Sequence, residues 1–216
     1  MSEADVISNT DRPATVATLT HDLKALGVEA GSALLVHSSL SAIGWVSGGA
    51  TGVIYALEEA VGNLGTLVMP AHSTDLTEPG RWSAPPVPEA WVDTIRETMP
   101  AYDPDITPTP GMGKIPECFR KQHGTLRSTH PHSSFSANGP LALSIVSNHE
   151  LAFGLGESSP LARLYNVDAR ILLFGVGHGN NTSLHLRISR IISGQECDSG
   201  RRAHSRRWGS TMGRVR

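Results

Sequence analysis

Ala33-Leu-Leu-Val-His-Ser-Ser-Leu-Ser-Ala-Ile-Gly-Trp-Val-Ser-Gly-Gly-Ala-Thr51 is the stretch around which the rest of the chain is organised. Its apolar start, Ala33 to Val36, reads as a buried strand. Small hydroxyl residues follow (Ser38, Ser39, Ser41), then glycines (Gly44, Gly48, Gly49), and a helix opens near Thr51. A strand, a small-residue loop and a helix in that order present unpaired backbone N–H groups and hydroxyls where an anion can sit. The loop has neither the Gly-Lys-Ser/Thr of a nucleotide P-loop nor a Gly-x-Gly-x-x-Gly pattern.

Working outward, Leu19, Leu23 and Leu26 fall at helical spacing before Gly27, which predicts a helix over Pro13 to Leu26. Val53, Ile54, Leu57, Ala60 and Val61 predict a second helix that Gly62 and Gly65 close, and Thr66 to Pro70 reads as the next strand. Between Ala71 and Arg127 lie most of the prolines, and only short helices are expected there, at Glu89 to Thr98 and Ile115 to Lys121. Pro140 to Ser147 reads as a helix, and Ala169 to Gly177 as a third central strand. The fold class expected is α/β, a mostly parallel central sheet flanked by helices with a long Pro-rich loop region.

Composition narrows the function. The chain has 216 residues, no long apolar run that suggests a membrane span, and a polar, acid-bearing start unlike a secretory signal. Its two cysteines, Cys118 and Cys197, form neither a metal-ligand spacing nor a disulfide framework, so a reducing cytoplasm is the expected setting. Of 18 Lys and Arg, eight are arginines after Leu186, where only two of the 20 acids fall. The body is therefore acidic and favours a cationic partner over nucleic acid or membrane. The basic tail has scattered charge and no stacking aromatic beyond Trp208, which argues against a nucleic-acid arm.

Three apolar strands end in ligand-capable loops: His37-Ser-Ser39, Pro70-Ala-His-Ser-Thr74 and Gly177-His-Gly-Asn-Asn-Thr182. Open parallel sheets bind ligands beyond the carboxyl ends of their strands, so these loops are expected to share one cleft. Ten histidines raise a zinc hydrolase as a rival, with His37, His72, His130, His132, His178 and His185 as possible ligands. There is no His-Glu-x-x-His, and no Gly-x-Ser-x-Gly elbow for a nucleophilic serine. Direct transfer between two bound substrates, with a histidine base, is the simpler scheme, and no metal is expected.

Val36-His-Ser-Ser-Leu-Ser-Ala-Ile-Gly-Trp45, Gly65-Thr-Leu-Val-Met-Pro70, Tyr102-Asp-Pro104, Arg127-Ser-Thr-His-Pro131, Gly156-Glu-Ser-Ser-Pro-Leu161 and Asn181-Thr-Ser-Leu-His185 together resemble the aminoglycoside 3-N-acetyltransferases. Order and spacing match from about Pro13 to Leu186. The resemblance implies an α/β fold distinct from the better-known acetyltransferases with a splayed sheet. It implies acetyl transfer from acetyl-CoA to the 3-amino group of the 2-deoxystreptamine ring of an aminoglycoside antibiotic, conferring resistance. Carried over, Ser38, Ser39, Leu40 and Ser41 would hold the CoA pyrophosphate, and the turn from Pro70 to Ser73 would lie near the thioester. His130 would be the base and Glu157 its carboxylate partner. Asn181 and Thr182 would contact the reacting end, while Asp75, Glu78, Asp103 and Asp105 could bind other ammonium groups.

After Leu186 the family pattern continues with Ala-Glu, whereas this chain has Arg187-Ile188. Residues 1–186 are thus expected to form a C-terminally incomplete transferase domain, and 187–216 a basic, disordered, non-family tail. A shifted reading frame would account for the change: codons for Thr211 to Arg216, read one base on, can spell Arg-Trp-Val-Glu-Phe, which is similar to the family's later sequence. Two readings stand: a working acetyltransferase, or a shortened relative that binds CoA at most.

Overall fold

A computed structural model describes residues 3–192. Five strands form one sheet: β1 Ala33–Ser38, β2 Thr66–Pro70, β3 Leu126–Arg127, β4 Phe135–Asn138 and β5 Arg170–Phe174, in the order β3-β4-β2-β1-β5. β1 is parallel to both β2 and β5, with Leu35 opposite Val68 and Val36 opposite Leu172. β4 runs antiparallel to β2 and to β3. The three strands expected from apolar runs are the parallel ones, and the other edge makes the sheet mixed. β3 and β4 are joined by a turn of residues 128–134, too short for the crossover helix a parallel pair requires.

Alternation along the strands separates two cores. Leu34 and Val36 of β1 and Leu67 and Met69 of β2 face helices α2 Val16–Ala25, α4 Gly49–Val61 and α6 Lys114–Arg120. Leu35 and Val68, one residue out of phase, face α7 Ala142–Val146, α8 Pro160–Asn166 and Leu186 of α9 Ser183–Ile192. The period of two sends neighbours to opposite faces, so each strand serves both layers. In α2 a reciprocal pair of hydrogen bonds between Thr15 and Thr18 caps the first turn, and Leu19 and Leu23 are buried. In α4, Val53, Ile54, Leu57, Ala60 and Val61 are all buried, the pattern that predicted it. The remaining helices are α1 Glu3–Ser8, α3 Leu40–Ile43 and α5 Val92–Thr98.

The Pro-rich segment is mostly irregular, with α5 and α6 near the two short helices expected. Half-buried Arg127 ties it to the sheet. Its five N–H groups donate to the carbonyls of Ala71 (2.6 Å), Pro104 (3.3 Å) and Thr107 (2.6 Å) and to the hydroxyls of Ser73 (2.7 Å) and Ser134 (3.0 Å). The domain boundary expected at 186 falls within α9. The tail beyond Ile192, including the proposed frame change, lies outside the described residues.

Candidate active site

Because β2, β1 and β5 are parallel, their carboxyl ends share one edge of the sheet. A cleft of about 940 Å³ opens there, lined by Ser38 to Ser41, by Gly49 and Ala50 of α4, by Gly111 to Lys114, and by Gly175 to Gly177 with Asn180. Gly48 (φ +81°) and Gly49 (φ +57°) take the left-handed conformations that turn the chain into α4. The Gly49 N–H donates to Val46 O (2.9 Å), but no side chain caps the helix, which leaves the N–H groups of Ala50 and Thr51 for an anion. The buried Ser38 Oγ has no hydrogen-bond partner, and Ser39 Oγ lies 3.3 Å from Ser41 Oγ. Lys114 brings a cation to the opposite wall. Open helix N–H groups, spare hydroxyls and a lysine are a donor set suited to phosphate.

The second half of the site is the turn between β3 and β4, which carries His130. The turn is held from several sides. Tyr102 donates its hydroxyl to Ser128 O (2.8 Å), Ser134 donates its hydroxyl to Ala71 O (2.6 Å), and the Ala71 N–H donates to Ser134 O (2.8 Å). His130 is only 1% exposed. Its Nδ1 accepts the backbone N–H groups of Ser133 (3.0 Å) and His132 (3.3 Å). A nitrogen that accepts two donors carries no hydrogen, so the neutral ring has its proton on Nε2. Nε2 finds no partner at hydrogen-bond geometry, although the Leu151 backbone slightly favours the charged form. Burial, then the neighbouring His132 ring, lowers the His130 pKa below its ordinary value.

Other imidazoles surround it. The His132 and His149 ring centroids are 4.6 and 4.7 Å from that of His130. Burial pushes His37, His72 and His149 down to about 4, so all three are neutral at pH 7. His37 precedes Ser38 on β1, and after burial itself the charges of His37 and then His130 act on His72 in the same downward direction. Among the described residues no group of His, Cys, Asp or Glu is arranged to hold a metal ion.

The other residues singled out from sequence are distributed as follows. Ser38, Ser39, Leu40 and Ser41 line the cleft, as does Asn180 of the β5 loop. Pro70 and Ser73 do not. Pro70 is paired in register with Phe135, and the Ser73 hydroxyl donates to Pro108 O (2.7 Å) while accepting from Arg127. The β2 loop is thus drawn under the β3–β4 turn because β2 pairs with β4, and only two of the three expected loops line this cleft. Glu157 is not joined to His130. Its carboxylate takes Arg190 Nε (2.5 Å) and Nη2 (3.0 Å), which lowers its pKa. Asp103 accepts the N–H groups of Asp105 and Ile106, and Asn181 accepts from Ser183 (Oγ, 2.6 Å) at the start of α9. Asp75 is exposed in the turn Thr74–Leu76, and the buried Thr182 Oγ1 has no partner.

A family model described as aminoglycoside 3-N-acetyltransferase matches residues 35–207. The chain belongs to the aminoglycoside 3-N-acetyltransferase family. It is 49% identical over 187 residues to the prophage-derived aminoglycoside N(3')-acetyltransferase-like protein YokD of Bacillus subtilis, covering 86% of this chain and 69% of YokD. Aminoglycoside N(3)-acetyltransferase VIII of Streptomyces fradiae is 41% identical, over 86% of this chain and 64% of its own length. The YokD crystal structure superposes with a TM-score of 0.83, covering 85% of this chain and 68% of that one. AAC-IIIb with CoASH and AAC-VIa bound to sisomicin each superpose at 0.72, are 35% identical, and cover 81% of this chain and 64% of theirs. The chain therefore spans about two thirds of the length of the family members it matches.

Three contributors to the site lie outside the sequence-based set. Lys114 follows Gly111-Met-Gly113, a glycine pair that opens α6, and that spacing is a readable signal. Arg127 stands inside the quoted Arg-Ser-x-His-Pro motif, yet its role needs the three segments it joins. His149 has no motif around it, and only its contacts reveal it.

Proposed function

We propose that this chain transfers acetyl from acetyl-CoA to the 3-amino group of a 2-deoxystreptamine aminoglycoside, and so confers resistance to it. The observation that carries the reading is the anion-suited cleft at Ser38 to Ser41, Lys114 and the start of α4; His130, with the His132 and His149 rings against it, stands on the β3–β4 turn outside that lining. The cleft would take the CoA phosphates on its open N–H groups, the Ser38 hydroxyl and Lys114. The antibiotic's amine nitrogen attacks the thioester carbonyl carbon. The new C–N bond forms as the C–S bond breaks, His130 takes the amine proton, and the departing CoA thiolate receives it. Acids of the body, Asp75 and Asp103 among them, favour the approach of a polycation. Because acetyl-CoA is the donor, the setting proposed is the cytoplasm. No helix among the described residues is long and apolar enough to cross a membrane.

In the described conformation Nδ1 accepts two backbone N–H groups and Nε2 carries the proton, so taking the amine proton requires the turn to release Nδ1, or the ring to change tautomer once the cover over Nε2 opens. A second reading, a protein that binds CoA without turning it over, is favoured by one observation. Among the described residues no carboxylate hydrogen-bonds to His130 to support an imidazolium. The test is thiol release from acetyl-CoA by the purified chain with gentamicin-type and neomycin-type substrates, alongside calorimetric CoA binding. Aminoglycoside-dependent release that vanishes in His130→Ala, with CoA binding kept, is the expected result. Release near wild type in that variant removes His130 from the mechanism, and CoA binding without release by the wild type selects the second reading.

A further inference from the structure

His149 is the first residue of the segment 149–157, which lies over His130. Its Nε2 is 2.7 Å from Gly154 O, and its Nδ1 is 2.8 Å from Ser128 Oγ. A carbonyl can only accept, so Nε2 carries the proton and Nδ1 accepts from the Ser128 hydroxyl. The Ser128 oxygen in turn receives the Phe135 N–H (3.0 Å). One neutral ring thus ties the turn that holds His130 to the segment that covers it.

Gly154 shows how close that cover is. A methyl group built on its α-carbon would overlap Nε2, Cδ2 and Cε1 of His130, so only glycine lets this backbone rest on the ring. The segment is held at its base, where Arg163 Nη2 donates to Asn148 O (2.8 Å) and the Glu150 N–H donates to Ser158 O (3.3 Å). Its middle is held far less. Leu151 and Phe153 are 71% and 84% exposed, and Asn148 (φ +49°) and Phe153 (φ +53°) occupy the left-handed region that side-chain-bearing residues rarely adopt. Between these points the hydrogen bond from His149 to Gly154 O draws the backbone toward His130, alongside the Leu151 backbone's own interaction with that ring and the packing of Leu155 on the second core.

We propose that His149 is a positioning residue for His130, the latch that keeps residues 150–156 closed over its Nε2. The proposal rests on reading His130 as the group that handles the substrate proton. It adds that access to this nitrogen is set by a second imidazole that touches neither substrate. The rings of His130 and Phe135 and the charge of Arg163 face His149, and no carboxylate hydrogen-bonds to it among the described residues. At neutral pH the latch is uncharged, so it acts on His130 through cover and not through charge.

The experiment follows the rings themselves, in the full chain labelled with 15N-histidine. His130 signals are assigned by their loss in His130→Ala, and tautomer, titration midpoint and ring N–H exchange are read against pH. In the wild type, His149 should be the Nε2–H tautomer and His130 should titrate below the ordinary 6.5. His149→Asn keeps a short polar side chain but cannot reach Gly154 as the imidazole does. It should raise the His130 midpoint by roughly one pH unit as water reaches the ring, and speed ring N–H exchange by about tenfold or more. His149→Gln, which can still donate to the Gly154 carbonyl, should move it less. Gly154→Ala lifts the segment from the opposite side and should reproduce the Asn result with His149 intact.

Unchanged His130 midpoint and exchange in His149→Asn and Gly154→Ala, with circular dichroism showing both folded, overturns the proposal. A His149 found in the Nδ1–H tautomer overturns it as well. None of these readouts uses a substrate. Absent acetyl transfer with the ring shifts as expected defeats the functional reading alone, and active enzyme with unmoved rings defeats only this inference.

Discussion

Replacing Arg127 with methionine removes five hydrogen bonds at once, and the structure shows which acceptors lose everything. Ala71 O still receives the Ser134 hydroxyl, and the Ser73 hydroxyl still donates to Pro108 O. The Thr107 carbonyl, 2.6 Å from Nη1, and the more weakly held Pro104 carbonyl are left with nothing in their place. Hydrogen bonds to a charged group are worth about 1.5–3 kcal/mol each, but removing the guanidinium also ends its own desolvation cost, which already lowers its pKa. The net expectation is about 2–4 kcal/mol, or a fall in Tm of roughly 4–16 °C for a chain of this size. Lysine keeps the charge with three donors in place of the five-donor fork, so Arg127→Lys should fall between wild type and Met. Thermal unfolding followed by circular dichroism measures this directly. The turn bearing His130 also loosens, so kcat/KM should drop by roughly 10–100-fold with CoA affinity kept. A Met variant that melts within about 2 °C of wild type refutes the reasoning. A Lys variant less stable than Met would show that charge burial, not the fork, dominates at this position.

Lys114→Ala should weaken CoA binding by roughly 3- to 10-fold at low salt and by less as salt rises, measured by calorimetry. Leu57→Ala, in the fully buried face of α4, should cost about 2–5 kcal/mol in denaturant unfolding while leaving the cleft chemistry in place. The buried histidines predict a strong acid dependence. His37, His72 and His149 are held at about 4 against 6.5 unfolded, so the unfolded chain binds more protons. The stability they contribute is full above pH 6.5 and is lost as pH falls toward 4, with about two to three protons taken up on unfolding near pH 5. Proton uptake below one in a buffered calorimetric series would contradict that burial. Glu117, depressed by Arg120 and Lys121, adds a smaller loss below the ordinary carboxylate range.

What the sequence made readable follows from the length of each signal. Ala33 to Val36, Leu67 to Pro70 and Ile171 to Phe174 are continuous apolar runs and identify the parallel strands, while the spacing of Val53 to Val61 identifies α4. β3 has two residues and β4 four, Phe135-Ser-Ala-Asn138, too few to show an alternation. Their antiparallel pairing is set by the turn and by β2, contacts distant in sequence. That pairing is also why Ser73 sits against Pro108 and Arg127 and not in the cleft lining. A loop at the end of a strand was expected in the cleft, and the adjacent hairpin covers it. The break in the family pattern after Leu186 and the scarcity of periodic apolar positions set the expected tail at 187, a point that α9 runs across, with Leu186 in the second core and Arg190 on Glu157. The serine loop was legible because its chemistry is local, whereas the surroundings of His130 come from four separated segments.

The depressed pKa values of the buried imidazoles bear on which substrate can reach His130. Two unit charges 4.7 Å apart, the His130–His149 spacing, repel by about 3–4 kcal/mol at an effective dielectric of 20. The two rings therefore resist being charged together, and a charged imidazole at the point of attack would also repel an antibiotic's ammonium groups. Burial keeps these rings neutral, and an acidic body then attracts the polycation without local opposition. The same burial makes His130 a poorer base, because the imidazolium it must become is also disfavoured. The two demands are reconciled if closure of residues 150–156 is transient: covered, His130 stays neutral and unopposed to cation entry; uncovered, its pKa recovers toward 6.5, and the ring can accept a proton once its Nε2 hydrogen has exchanged to Nδ1 or the turn has released Nδ1. Transfer by the proposed enzyme should then rise with pH through the range where the amine loses its own proton. A rate that instead peaks in acid would mean that the rings act as charged acids, and the argument from burial would fail with it.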